Sequence, residues 1–278
     1  MSSSSIGATA ARPGSVPAKK RSAPISAAAV AARIVTGFVI LLLWEGVVRN
    51  FAPAYVAKPS VIVAAIPSVI VDPVFLKATG DTLAAVAEGL IIAIILGTAI
   101  GLAMGRSQLM DRLFRHYVNG FYAVPMIVIL PLLSLWFGYT GAARLATIVF
   151  AALFSIIVNV ADGAKSVPRE YIEVARSFRS GSIRMLIEIV LPAATPYFLA
   201  GLRLAAGRAM IGAVVAEFFI AIIGGLGFFI LYQSRTFHHN EAFVGVIALA
   251  GTCVGFELFV NWCTRHYLPW YRRDEIVE

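Results

Sequence analysis

Charged residues are scarce in this chain of 278 residues. Asp, Glu, Lys and Arg make up 14% of the sequence and hydrophobic residues 59%, whereas soluble domains average about 25% charged residues. The mean hydropathy of +0.84 agrees with this shortage. The composition excludes an ordinary water-soluble domain, and we expect an integral membrane protein.

Cysteine and histidine are also rare, and neither forms a recognisable site. The two cysteines, Cys253 and Cys263, would lie about 15 Å apart along one helix, which is too far for a disulfide. The four histidines lack the spacing of a zinc site. We therefore predict that this chain binds no metal.

Three common catalytic motifs are missing from the sequence. It contains no phosphate-binding G-x-x-x-x-G-K-[ST], no G-x-S-x-G nucleophile turn and no H-E-x-x-H zinc motif. We therefore expect no enzyme activity and no cofactor bound by this chain. If ATP drives its function, the hydrolysis must take place on another polypeptide.

Apolar runs of about 20 residues, the length that crosses a bilayer core, occur six times. The third run contains Pro125 and Pro131, which should kink its helix. We therefore predict an all-α polytopic membrane protein with six transmembrane helices. The runs lie at about residues 26–48, 82–104, 118–137, 143–160, 197–223 and 242–262.

The distribution of basic residues predicts the orientation of the six spans. Both termini lie on one side, and all but five of the 23 basic residues fall on that side, which the positive-inside rule makes cytoplasmic. The net charge of +8 is then a topology signal with contact to anionic lipid, and no nucleic acid partner is expected. The five exceptions are Arg49, Lys58, Lys77, Arg144 and Arg235.

The chain divides into four predicted parts. Residues 1–25 form a disordered basic cytoplasmic tail rather than a cleaved signal peptide. Residues 26–80 hold the first transmembrane helix and an outer segment. Residues 81–264 form a five-helix core that includes a cytoplasmic loop, residues 163–195, and residues 265–278 form a second cytoplasmic tail.

The loop at 163–195 carries the densest group of charges, which suits contact with a soluble partner. An amphipathic helix is expected from Arg169 to Phe178. A second helix, from about Ile183 to Ile189, should end before Pro192, because a residue that precedes proline avoids helical geometry. A solvated connecting loop is the alternative interpretation.

The loop resembles the EAA loop of binding-protein-dependent ABC importer permeases, whose pattern is E-A-A-x3-G-x9-I-x-L-P. The corresponding residues are Glu173-Val174-Ala175, Ile189 and Leu191-Pro192. Val174 replaces the second alanine, Arg179 stands at the glycine position, and Gly181 is predicted to supply the turn two residues later.

The resemblance extends over about residues 80–273 and matches the nitrate, sulfonate, taurine and bicarbonate permease group. Three further stretches carry it, at residues 124–138, 201–217 and 225–230. It implies a type I ABC importer permease (MetI-like) fold in a bacterial inner membrane, importing a small anion by alternating access. A secondary transporter or channel that works without ATP is the alternative.

The same resemblance implies the partners and the contact residues. Two ATP-binding subunits would carry ATP and Mg, a periplasmic solute-binding protein would deliver the solute, and the permease would pair with a second copy. The loop would form a coupling helix that inserts into a groove of the ATPase subunit. Its contact residues would be Glu173, Val174, Ala175, Arg176 and Arg179, with Gly181, Leu191 and Pro192 shaping the loop.

Three glycines in the second span predict close helix packing. Gly97, Gly101 and Gly105 form two overlapping G-x-x-x-G units on one helix face. Their partner helix could belong to the same chain or to a second copy.

Three charged residues within the spans are candidates for the translocation pathway, because charges are costly in hydrocarbon and usually functional there. They are Glu88, Arg208 and Glu217. Arg208 and Glu217 should lie on opposite faces of one helix. Arg208 could pair with Glu88 as a structural contact, or it could face a cavity and attract an anionic substrate; no partner is predicted for Glu217.

Overall fold

The computed structural model describes residues 27–53, 55–220 and 224–267. The described residues contain helices and no β-strand, whereas the predicted tail at 1–25 and most of the one at 265–278 lie outside them. The helices are α1 (Ala27–Phe51), α2 (Pro59–Val69), α3 (Pro73–Arg106), α4 (Gln108–Ala123), α5 (Met126–Phe137), α6 (Gly141–Lys165), α7 (Arg169–Ser177), α8 (Ser182–Met185), a π-helical turn (Leu186–Val190), α9 (Leu191–Phe219), α10 (Leu226–Arg235) and α11 (His239–Tyr267).

Five helical segments are long and apolar enough to cross a membrane: α1, α3, α6, α11 and the helix that runs from Ser182 to Phe219. A sixth span is present when α4 and α5 are taken together. The prediction of an all-helical polytopic membrane protein is confirmed, with the third span in two pieces.

The third span is broken at Pro125 rather than merely kinked. α4 and α5 are bent by 104° relative to each other. Val124 has an extended backbone, with φ −68° and ψ 129°, because the ring of a following proline disfavours helical geometry. Pro131, in contrast, lies inside α5 without ending it.

The chain remains helical through Leu191-Pro192, so the prediction that a loop helix ends there is wrong. One helix continues from Ser182 to Phe219, and its π-helical turn at Leu186–Val190 ends two residues before Pro192. A proline lacks the N–H that a regular helix needs and crowds the preceding turn. The wider π turn accommodates both defects without breaking the helix.

α6 lies at the centre of the bundle, between α3 and α9. The buried core at this contact consists largely of alanines, together with Ile148, Ile156 and Val160 of α6. Small residues let helices approach closely, which matters in lipid because apolar helices gain little there from the hydrophobic effect. A Cβ on Gly201 of α9 would lie only 2.7 Å from the Cβ of Asn159.

α1 lies at the edge of the bundle and packs on α2. Its Glu45 carboxylate accepts hydrogen bonds from the backbone N–H and the hydroxyl of Ser60, at 3.0 and 2.8 Å. A carboxylate is favourable there because the first turn of a helix carries partial positive charge. Trp44 also packs on Phe243 of α11, with 5.5 Å between ring centroids.

Candidate functional site: the charged loop and the membrane-embedded charges

The charged loop presents most of its predicted contact residues to solvent. Glu173, Val174, Arg176 and Arg179 are exposed, whereas Ala175 is 8% exposed. Burial of Ala175 holds one face of α7 against the protein. The opposite face is therefore free to meet a partner.

A groove of about 830 Å³ lies between α7 and the start of α9. Tyr171, Val174 and Phe178 line it from the α7 side, and Pro192 from the α9 side. Tyr171 and Phe178 are 63% and 81% exposed. Exposed apolar patches with polar neighbours are typical of interaction surfaces, so the groove gives the loop an apolar contact area beside its charges.

Arg179 makes the turn that follows α7, with a positive φ of 54°. The Ser180 N–H donates to the carbonyl of Ala175 at 3.0 Å, and the Arg179 N–H donates to that of Arg176 at 2.8 Å. These two bonds define a Schellman motif, whose left-handed position is usually glycine. Gly181 has φ −66°, so the prediction that it supplies the turn is wrong: the turn falls where the EAA pattern has its glycine.

A cluster of ion pairs joins α4 to the end of α6, where the charged loop begins. Arg115 pairs with Asp111 at 2.7 Å and with Asp162 at 3.4 Å, and Lys165 pairs with Asp111 at 2.5 Å. Sequence reasoning missed this cluster. The four-residue spacing of Asp111 and Arg115 was an available signal, but the two partners on α6 depend on tertiary packing.

Glu217 of α9 is completely buried, at 0% exposure. Its partners come from three other helices, α3, α6 and α10. Its carboxylate accepts hydrogen bonds from the Thr82 hydroxyl at 2.8 Å and from the Gly227 N–H at 2.7 Å. Arg144 Nη1 lies 3.3 Å away and supplies the opposite charge. Thr82 in turn accepts a hydrogen bond from the Leu226 N–H at 2.7 Å. We call these residues the Glu217 cluster.

Two glycines at the start of α10 make room for the Glu217 carboxylate. Gly225 has φ +91°, which side-chain-bearing residues rarely adopt, and a Cβ there would collide with the carboxyl group. A Cβ on Gly227 would lie 2.8 Å from Oε2. Sequence reasoning named no partner for Glu217, although this pair of glycines was a signal of close backbone approach.

Arg208 lies in the middle of α9 and contacts Tyr122 near the end of α4. Its guanidinium carbon is 3.9 Å from the centre of the Tyr122 ring, and Nη1 donates to the Tyr122 carbonyl at 3.3 Å. Glu88 is exposed on α3, and no ion pair joins it to Arg208 within the described ranges. The predicted alternative of a structural pair between these two residues is therefore not formed.

The three glycines of the second span face α6 of the same chain. Cβ atoms on Gly97, Gly101 and Gly105 would come within 3.0 Å of side chains there. The glycine face thus belongs to the central packing of one chain rather than to an exposed surface. The side chains that it meets are those of Ile156, Val160 and Ala164.

Comparison with known proteins identifies the family. The family described as "binding-protein-dependent transport system inner membrane component" matches residues 89–273. The chain belongs to this family. It is a membrane-spanning permease subunit of an ABC importer, and the matched region includes the whole charged loop.

Several curated permeases are similar to this one. The bicarbonate transport system permease protein CmpB of Synechococcus elongatus is 28% identical over 187 residues, which cover 67% of each chain. The nitrate import permease protein NrtB of Leptolyngbya laminosa is 28% identical over 241 residues, covering 84% of this permease and 85% of NrtB. The taurine transport system permease protein TauC of Escherichia coli (strain K12) is 26% identical over 240 residues, covering 84% and 87%.

A solved structure supports the fold of the permease. A chain of the MetNI methionine ABC transporter, in an inward-facing conformation, superposes with a TM-score of 0.60 and 18% identity. The match covers 69% of this permease and 95% of that chain. The predicted MetI-like fold is confirmed. Membership of the importer family, rather than this structural likeness, counts against the alternative of an ATP-independent transporter.

Proposed function

We propose that this permease pairs with a second copy of itself and imports a small organic or inorganic anion. Two ATP-binding subunits, which carry ATP and Mg, dock on the charged loops, and a periplasmic solute-binding protein delivers the solute to the opposite face. Both termini and the loop lie in the cytoplasm of a bacterial cell. The observation that carries this proposal is α7, an exposed charged helix beside an open apolar groove.

The helices on either side of α7 provide a route for coupling. α6 ends at Lys165 and α7 begins at Arg169, so a movement of α7 acts on α6 through a short connection. On the other side, one continuous helix runs from Ser182 to Phe219. Closure of the ATPase pair would therefore tilt the two helices that form the centre of the bundle, and the permease would alternate between inward-facing and outward-facing states.

The choice of an anion has two supports. The relatives named above are described as permeases for bicarbonate, nitrate and taurine, and Arg208 places a cation within the bundle. Glu88 is exposed on α3 and stays a predicted pathway residue. Glu217 is enclosed by its own partners, so a direct contact with the solute would require the cluster to open.

Reversing the charge of Glu173 tests the docking surface. We expect Glu173→Lys to abolish uptake and the copurification of an ATP-binding subunit, because it places a cation where the exposed glutamate would meet a basic group. The protein should still insert into the membrane, since the Glu173 side chain is exposed on α7, outside the spanning segments. Uptake by whole cells and recovery of the ATP-binding subunit with the purified permease are the measurements.

Glu170→Lys is the matched control, because Glu170 is an exposed glutamate on the same helix and the change in charge is identical. It should retain most of the coupling. Equal losses from the two variants would assign the effect to the net charge of the loop. Normal coupling in Glu173→Lys would overturn the proposed contact.

A further inference from the structure

A cavity of about 250 Å³ opens where the third span is broken, between α4, α5, α6 and α9. It is open on one side, since Ile211 is 59% and Phe121 47% exposed. Arg208 and Phe154 each lie near the middle of a spanning helix, so the cavity is far from both ends of the bundle. We call it the Arg208 cavity; its main lining residues are Phe121, Tyr122, Phe150, Phe154, Arg208 and Ile211.

The Arg208 cavity contains a cation with no acidic partner. Within the described ranges no Asp or Glu forms an ion pair with Arg208. Its one hydrogen bond to another described residue, to the Tyr122 carbonyl, uses a single donor of the five that a guanidinium carries. The Tyr122 ring holds one face of the guanidinium plane. The remaining donors can bind the oxygens of a carboxylate or sulfonate as a planar fork.

The walls of the cavity are aromatic and apolar. The rings of Phe121 and Phe154 are stacked, with centroids 5.7 Å apart, and Phe150 meets Phe154 edge-on at 5.0 Å. Val124, Met126 and Ile211 add further apolar surface. The lining side chains include no carboxylate, so the cavity offers no negative counter-charge to an ammonium group.

These features discriminate between kinds of anion. Nitrate and bicarbonate carry polar oxygens on every side, and placing them among phenyl rings would leave most of those oxygens without hydrogen bonds. Taurine would bring an ammonium group that finds no carboxylate among the lining side chains, beside an arginine of the same charge. An anion with its acid group at one end would place that group on Arg208 and its apolar body on the rings.

We propose that the Arg208 cavity is a binding site for the transported solute, selective for a monoanion whose single sulfonate or carboxylate group is carried on an alkyl or aryl body. The selectivity resides in the permease and is separate from any selection by a solute-binding protein. The proposal rests on the proposed function, because a solute reaches the middle of the bundle only in a transporter.

Binding of radiolabelled benzenesulfonate tests the proposal, with the full-length chain purified together with its associated subunits and placed in lipid nanodiscs. Equilibrium dialysis should show saturable binding that unlabelled hexanesulfonate displaces. Nitrate, taurine and the uncharged methyl phenyl sulfone should need at least about tenfold higher concentrations, since each lacks one of the two contacts. Displacement by nitrate as effective as that by hexanesulfonate would overturn the proposal, as would the absence of saturable binding.

Substitutions locate the site. Arg208→Gln should weaken benzenesulfonate binding by at least about tenfold, because the charge-assisted hydrogen bonds are lost. Arg208→Lys keeps the charge without the planar fork and should give a smaller loss, so it decides the question if the glutamine variant is misfolded. Arg203→Gln removes another arginine of α9, which does not line the cavity, and should bind normally. Normal binding by both Arg208 variants would overturn the assignment.

The outcomes separate this inference from the proposed function. Benzenesulfonate binding through Arg208, together with uptake of benzenesulfonate that does not depend on ATP, would support the cavity and contradict ATP-driven import. ATP-driven uptake of nitrate without benzenesulfonate binding would support the importer and overturn the cavity.

Discussion

Glu217 and Arg208 are both charged residues of α9, yet their surroundings are opposite. Glu217 is fully buried near the end of the helix, with a cation, a hydroxyl and a backbone N–H around its carboxylate. Arg208 lies at mid-helix with one carbonyl and one aromatic ring as its partners, and it borders an open cavity. A hydropathy plot does not distinguish the two, because it registers each as a charge within an apolar run.

The comparison shows that a charge inside a membrane protein can serve either structure or ligand binding. A buried carboxylate that is paired and hydrogen-bonded connects the helices that supply its partners. The Glu217 cluster connects α3, α6, α9 and α10 in this way. A cation without a carboxylate partner keeps hydrogen-bond donors available for a ligand. At Arg208 we assign the solute as that ligand.

Removing the Glu217 carboxylate should have the largest effect on stability. Glu217→Leu leaves Arg144 and the Gly227 N–H without an acceptor, and breaking a buried ion pair typically costs about 3–5 kcal/mol. We expect a large fall in the melting temperature of the purified protein, or failure to accumulate as a monodisperse species. Size-exclusion chromatography after heating measures both.

The double variant Glu217→Leu with Arg144→Leu provides the control. It removes both charges together and should recover part of the stability lost by Glu217→Leu alone, because no unpaired charge remains. Arg144→Leu alone completes the cycle. If the losses of stability in Glu217→Leu and Arg144→Leu simply add in the double variant, Arg144 and Glu217 are not an interacting pair, and Glu217 does not have the structural role assigned to it.

Arg208→Gln should have an intermediate effect on stability and its main effect on uptake. Stability should fall by about 2 kcal/mol, the size of a desolvated cation–π contact, because no carboxylate of the described residues pairs with Arg208. Uptake of the solute should fall much further. Melting and uptake measured on the same preparation check both expectations. A loss of stability as large as that of Glu217→Leu would make Arg208 a structural residue too.

The smallest effect is expected at the turn of the charged loop. Arg179→Gly should stabilise the loop by about 1 kcal/mol, because glycine adopts a positive φ without the steric cost that other residues bear. Gly181→Ala should be neutral or slightly stabilising, since φ is −66° and a Cβ there meets nothing within 4 Å. Hydrogen exchange across residues 174–182 measures both changes.

The pair of turn variants also tests whether the Arg179 side chain contacts the ATP-binding subunit. If Arg179→Gly stabilises the loop but weakens coupling to the ATP-binding subunit, the arginine is retained for contact. Destabilisation by Gly181→Ala would instead indicate that the turn lies at Gly181, the position predicted from the sequence.

Local sequence patterns predicted much of this permease correctly. The apolar runs located the spans, because span length follows directly from bilayer thickness. Glu173-Val174-Ala175 and Leu191-Pro192 identified the charged loop through their order and spacing. Errors arose where a local rule met a second constraint. Pro192 was expected to end a helix, but the π turn before it absorbs the defect, and Arg179 takes a conformation normally left to glycine.

The sequence by itself determined the helical class, the positions of the spans and the resemblance to importer permeases, because these depend on composition and on spacing along the chain. Only the tertiary structure decided which charges are neutralised. Arg144 and Glu217 are 73 residues apart, and they meet because α6 and α9 pack closely through small residues. The same packing, together with the break at Pro125, leaves Arg208 beside a cavity. Hydropathy could not predict either outcome, because it does not encode contacts between distant segments.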